Sequence, residues 1–143
     1  MVDSKLPPRI PISSELSNQI EQLEARTIVV FKEYFGITLF SNDERSLECI
    51  CDFMELEIFR HQLTEENRHA WISLIGAFLG QTIIKVYGGQ WIDESNLSIE
   101  LKDGTICYPI DKVVKQLENG KEDSIYYYFT FISEILDKKL PFQ

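Results

Sequence analysis

The chain has 143 residues, enough for one domain (1–143) that buries about two-thirds of its unfolded surface without a disulfide or structural metal. Its formal net charge of −9 sets it against phosphate polyanions and anionic lipid, so nucleic acid and membrane are not expected partners and a basic protein or a cationic ligand is favoured. Cys49, Cys51 and Cys107 cannot all pair within one chain and sit among apolar neighbours, which predicts free thiols in a reducing cytoplasm.

Residues 1–12 carry prolines at 7, 8 and 11 and no basic-then-apolar leader, and read as an extended lead-in. A helix follows over 13–35, started at Ser13 or Ser14 and stopped by Gly36. Leu16, Ile20, Leu23, Thr27, Val30 and Tyr34 share one face of it, which Ile28, Phe31 and Phe35 widen. After the short connector Ile37-Thr38-Leu39-Phe40, Ser41 and Glu44 match a capping box that opens a predicted helix over 42–62. Leu47, Ile50, Cys51, Met54 and Ile58 form its apolar stripe, and Cys49, Phe53, Leu56 and Leu63 a neighbouring one.

Opposite those stripes, Glu44, Glu48, Asp52 and Glu55 fall within about 80° of arc. Like charges at this spacing repel by a few tenths of a kcal/mol per pair, so the helix's own stability does not call for the ridge. These four residues are therefore the leading candidates for a partner-binding surface.

Thr64 caps a third helix over 64–87, with Glu65 and Glu66 in the first turn, where the macrodipole favours negative charge. Its segment AWISLIGAFLGQTIIKVY is apolar on nearly every side, the pattern of a helix buried all round. Gly76 and Gly80 lie four apart and leave a flat strip for a close neighbour, which compensates the roughly 1 kcal/mol that each glycine costs a helix. The run is bracketed by charged residues and is expected to be a core helix and not a membrane span. From Gly88-Gly89 the period changes, and 90–108 reads as a small antiparallel sheet of three strands, with Trp91 packed on the central helix. Asp93, Glu94 and Asp103 in its turns form a second acidic candidate site.

Pro109 opens a helix over 109–119, and Asp123 or Ser124 caps a last element over 124–138. Its aromatic density also fits a strand, but the cap and Lys138-Lys139 favour a helix, on which at least one of Tyr126, Tyr127 and Tyr128 reaches the surface. The expected fold is α+β, with a helical amino-terminal half, a small antiparallel meander and two closing helices.

Chemistry-bearing motifs are sparse. His61 and His69 lie near adjoining helix ends, and a nucleophile at Cys49 or Cys51 would need one of them as its base. Cys49 and Cys51 point about 200° apart on a helix and cannot share an ion, so neither a metal nor a cofactor is expected. Phosphate-cradling glycine loops are absent from the sequence.

The order GAFLG, YGGQW, LKDGTICYP and NGKEDSI, between about Trp71 and Ile132, resembles small bacterial immunity proteins that accompany polymorphic or contact-dependent toxins. What the resemblance implies is a non-enzymatic cytoplasmic protein that binds one cognate toxin and blocks its active site; the acidic ridge as the part that meets a basic cleft is read from the charges alone, and nothing in the family assigns it. No toxin-contact motif of such families maps onto individual residues here, and the oligomeric state is open. A small carboxylate- or histidine-dependent enzyme and a regulatory adaptor are the alternatives.

Overall fold

The structure is a computed structural model that describes residues 10–93 and 96–139. Helix α1 (Ser14–Phe35) starts at Ser13, whose hydroxyl accepts the Leu16 amide at 3.1 Å, and stops at Gly36. There φ is 67°, a left-handed conformation that glycine adopts without strain, and the Gly36 and Ile37 amides close back onto the carbonyls of Lys32 and Phe31. Ile20, Thr27 and Phe31 face inward as the helical period requires. Tyr34 does not: it is exposed, because Phe31 and Phe35 are the residues of this last turn that meet Phe53 and Trp71.

Two helices stand where the sequence predicted one over 42–62: α2 (Glu44–Met54) and α3 (Glu57–Gln62). Asp43, not Ser41, is the N-cap, its carboxylate accepting the Arg45 amide at 3.0 Å, while the Ser41 hydroxyl accepts from Lys85 at 2.6 Å. The break falls at Glu55 and Leu56, the latter extended at φ −70° and ψ 138°. Contacts distant in sequence hold it there. The Arg60 guanidinium donates to the carbonyls of Gln116 and Leu117 at 3.2 and 3.1 Å and to the Glu55 carboxylate at 3.2 Å. Ile58, which an unbroken helix would bury, is instead 65% exposed, and Phe59 takes the inward place.

Helix α4 (Glu65–Tyr87) begins with a reciprocal capping box between Thr64 and Asn67. By length and composition it is apolar enough to cross a membrane; in this fold Ile75, Phe78, Leu79 and Ile83 are fully buried, with α1 packed along it. Strands β1 (Gln90–Asp93), β2 (Leu97–Glu100) and β3 (Ile106–Cys107) form an antiparallel sheet in that order, with Trp91 opposite Ile99 and Ile99 opposite Cys107. The end of the lead-in joins β1 through a bridge from Pro11 to Ile92.

Helix α5 (Pro109–Asn119) carries proline in its first turn and packs along α4, and a 3₁₀ turn (Gly120–Asp123) leads to α6 (Ile125–Lys139). The Ser124 hydroxyl accepts the Tyr127 amide at 3.1 Å, the cap that makes the aromatic run helical. The glycines of α4 do separate work. A Cβ on Gly76 would lie 2.9 Å from the Ile110 side chain, and one on Gly80 would lie 2.2 Å from the Trp91 ring, so the strip admits α5 at one point and β1 at the other. The architecture is the expected α+β arrangement: helices, a small central meander, then two helices.

A candidate protein-binding face on α2 and α3

Polar groups in this fold divide into an enclosed set and an open one. The enclosed set centres on Glu24 of α1, 7% exposed, which the helical period places between Ile20 and Thr27 on the inward face. Its carboxylate accepts from Gln81 at 2.9 Å and from Lys85; Lys85 also reaches Ser41, and Gln81 accepts from the Trp91 indole at 2.9 Å. Burial pushes the Glu24 carboxyl pKa up, but hydrogen bonds from Lys85, Ser41 and Gln81 outweigh it and hold the group below its ordinary value. The sequence signal was available in the period of α1, combined with Gln81 and Lys85 four apart on α4.

The open set is the ridge on α2. Glu44, Glu48 and Asp52 are all exposed on the outer side of the helix. Among the described residues the Glu48 side chain has no hydrogen bond or ion pair, and the Glu44 carboxylate accepts from the Tyr126 hydroxyl at 3.5 Å, with the charge of Arg45 beside it. Asp52 faces Lys121 at 3.6 Å with both side chains about two-thirds exposed, a pair worth about 0–1 kcal/mol. Desolvation and the negative charge of Glu44 and Glu48 push the Tyr126 hydroxyl pKa up, a local sign of the field along the ridge.

Glu55 departs from the predicted set. Its carboxylate is turned onto Arg60 at 3.2 Å and Gln116 at 3.0 Å, because the helix ends there and the side chain ties the break to α5. Cys49 also departs from its predicted apolar stripe and is exposed. Of the second acidic site, Asp93 is exposed at the end of β1, while the Asp103 carboxylate holds the Thr105 amide and hydroxyl at 3.0 and 2.9 Å within its own turn. Glu94 lies outside the described residues. Asp93 and Asp103 belong to the sheet and its β2–β3 turn and are on different elements from the α2 ridge.

Sequence reasoning missed the feature beside the ridge. Where α2 gives way to α3, the rings of Phe35 and Phe53 lie 4.5 Å apart and those of Phe53 and Phe59 4.8 Å apart. Above them opens a notch of about 230 Å³ with Leu56 and Ile58 on its walls. Leu56 is 49% exposed and Phe35 41%, so the notch has an apolar rim as well as an apolar floor. No local signal announces it, since it exists only because Arg60 and Glu55 bend the chain onto α5. On α6 the Tyr127 and Phe131 rings stack at 6.3 Å, and Tyr127 is the member of the tyrosine run that reaches the surface.

The groups considered for catalysis are placed differently. His61 and His69 are exposed, and the His61 ring contacts the Glu57 carbonyl of its own helix at 3.0 Å. Cys51 is buried with its sulfur 3.2 Å from the Ser124 hydroxyl, and burial pushes the Cys107 thiol pKa up. Among the described residues no three histidine, cysteine or carboxylate side chains gather where a metal ion would be held. Comparison with protein-family models, characterised proteins and solved structures finds no match to this chain.

Proposed function

We propose that this chain is a non-enzymatic immunity protein of the bacterial cytoplasm that binds one cognate toxin and neutralises it by covering a basic surface. The observation that supports this reading is the α2 ridge, where Glu44, Glu48 and Asp52 stand exposed in a row, with Arg45 beside Glu44 engaged by Asp43 and Lys121 weakly paired to Asp52. Successive carboxylates four residues apart rise about 6 Å along a helix, so lysines or arginines lining a cleft can meet each in turn. Such an arrangement speeds encounter and fixes the partner's orientation more than it adds affinity, and it makes capture sensitive to salt.

The experiment is a pull-down from the source cells with this chain as bait, washed at low and high salt, followed by expression of the captured protein with and without the bait. Recovery of one basic, growth-arresting protein that the wild-type chain silences is the expected result. A Glu44→Lys/Glu48→Lys/Asp52→Lys variant should lose both capture and protection. Unchanged protection by that variant would remove α2 from the interface, and capture of no toxic protein would remove the immunity reading itself.

A further inference from the structure

We propose that the notch between α2 and α3 is the anchor pocket of this binding face, and that its occupant is one large apolar side chain, aromatic or leucine, carried on a basic segment of the partner. The inference rests on reading the acidic face of α2 as a binding surface. At about 230 Å³ the notch is smaller than the roughly 300–1,000 Å³ of sites that enclose small molecules, and its size suits a single side chain. Its floor is the buried Phe53 and Phe59, Phe35 stands at its rim, and Gln62 is the one polar residue among those lining it, so the occupant's buried part is apolar.

Scattered exposed apolar residues are ordinary, but an apolar rim grouped around a concavity is the form of an interface hot spot. Here Leu56 and Ile58 are turned outward by a break that Arg60 and Glu55 hold in place, so the rim is not a frayed end.

Charge identifies the segment that carries the anchor. Leu56 follows Asp52 by about one turn, and the exposed Glu57 sits between Leu56 and Ile58, so the carboxylates of α2 lead directly to the notch. Arg60, the arginine of α3, is drawn away onto the carbonyls of Gln116 and Leu117. From Glu44 to Asp52 the helix rises about 12 Å, so a segment lying along it meets negative charge over that length and an apolar socket at the end. Lysines or arginines followed by one bulky apolar residue match that sequence of surfaces.

The test uses the full chain and helical peptides of about 18 residues built from alanine and lysine, long enough to hold a helix. One carries a single tryptophan beyond its lysines, the second alanine at that position, and the third the tryptophan with every lysine replaced by glutamine. The lysine–tryptophan peptide should bind at least about tenfold more tightly than the lysine–alanine peptide and alone shift the Leu56 and Ile58 methyl resonances. A Leu56→Ser/Ile58→Ser variant, altered at exposed positions and checked for an unchanged circular dichroism spectrum, should erase that difference.

Equal affinity of the two lysine peptides, with shifts confined to α2, would overturn the anchor pocket and leave the acidic face standing. Silence from both would overturn the pocket together with that face. Equal binding of the glutamine peptide would overturn the basic occupant. A concentration-dependent dimer in sedimentation that the double serine variant abolishes would make a second copy the occupant.

Discussion

Between α1 and α4 the Glu24 carboxylate is enclosed and partnered on both oxygens, whereas along α2 the carboxylates of Glu44, Glu48 and Asp52 face water and repel one another. Among the described residues no buried side-chain nitrogen or oxygen lacks a hydrogen-bond partner. The fold thus matches the charge it buries and leaves other carboxylates exposed on several elements, three of them in a row on α2. The difference has consequences that mutation, pH and salt can separate. The interior set should answer in stability, and the outer set in binding.

The largest effect expected is from Gly80→Ala. The added methyl would lie 2.2 Å from two atoms of the Trp91 ring, and that ring is tethered through its indole nitrogen to Gln81 and so to Glu24. Overpacking against a pinned ring should cost about 3 kcal/mol in urea unfolding, even after the gain in helix propensity. Gly76→Ala meets the Ile110 Cγ1 at 2.9 Å, next to the branch of a side chain that a helix holds stiff at χ1, and should also cost stability, about 1 kcal/mol, less than Gly80→Ala. Equal losses at the two glycines would mean that Trp91 is no better held than Ile110, and the enclosed set would be less rigid than its hydrogen bonds imply.

Next comes Glu24→Ala, which leaves the Gln81 amide and the Lys85 ammonium without their shared acceptor. About 2 kcal/mol is expected, discounted because the Lys85 side chain is 43% exposed. The pH dependence gives a second readout. The folded-state pKa of Glu24 lies below its ordinary value, so the unfolded chain binds more protons in between. Stability from this group is full above the ordinary glutamate value and is lost as pH falls through the folded value. Unfolding midpoints over about pH 3 to 6 should therefore rise less steeply with pH in Glu24→Gln than in the wild type. Parallel curves would place Glu24 with the ridge, as a charge the fold does not use.

Arg60→Ala should cost about 1.5 kcal/mol by freeing the Gln116 and Leu117 carbonyls. It should also loosen the break at Leu56, measured as faster amide exchange across α3. The same arginine explains what the sequence hid. The Ser13 cap, the Gly36 stop, the Thr64 cap and the turn at Asp103 are legible because each is settled within a few residues. The glycine strip and Trp91 are legible because size alone dictates that one accommodates the other. The break at Glu55 and Leu56 is settled by residues 116 and 117, some 60 positions away, and periodicity carries no trace of it. Glu48 and Asp52 survive as ridge residues because they precede the break, whereas Glu55 and Ile58 are reassigned because they sit at it or beyond it.

The smallest effect on stability, and the sharpest separation of the two regions, is expected from Glu48→Lys. Glu48 stands one turn from both Glu44 and Asp52, so reversing it exchanges two repulsions for two attractions, each worth a few tenths of a kcal/mol. Unfolding free energy should stay within about 0.5 kcal/mol of wild type, and any change should be a gain that shrinks as salt screens it. Association with a basic partner should slow, with the loss concentrated in the on-rate and fading at high ionic strength. A charge whose reversal leaves the fold intact and changes the encounter has no structural task. If Glu48→Lys instead destabilises the fold as much as Glu24→Ala does, the ridge is part of the scaffold, and the binding face must be sought elsewhere.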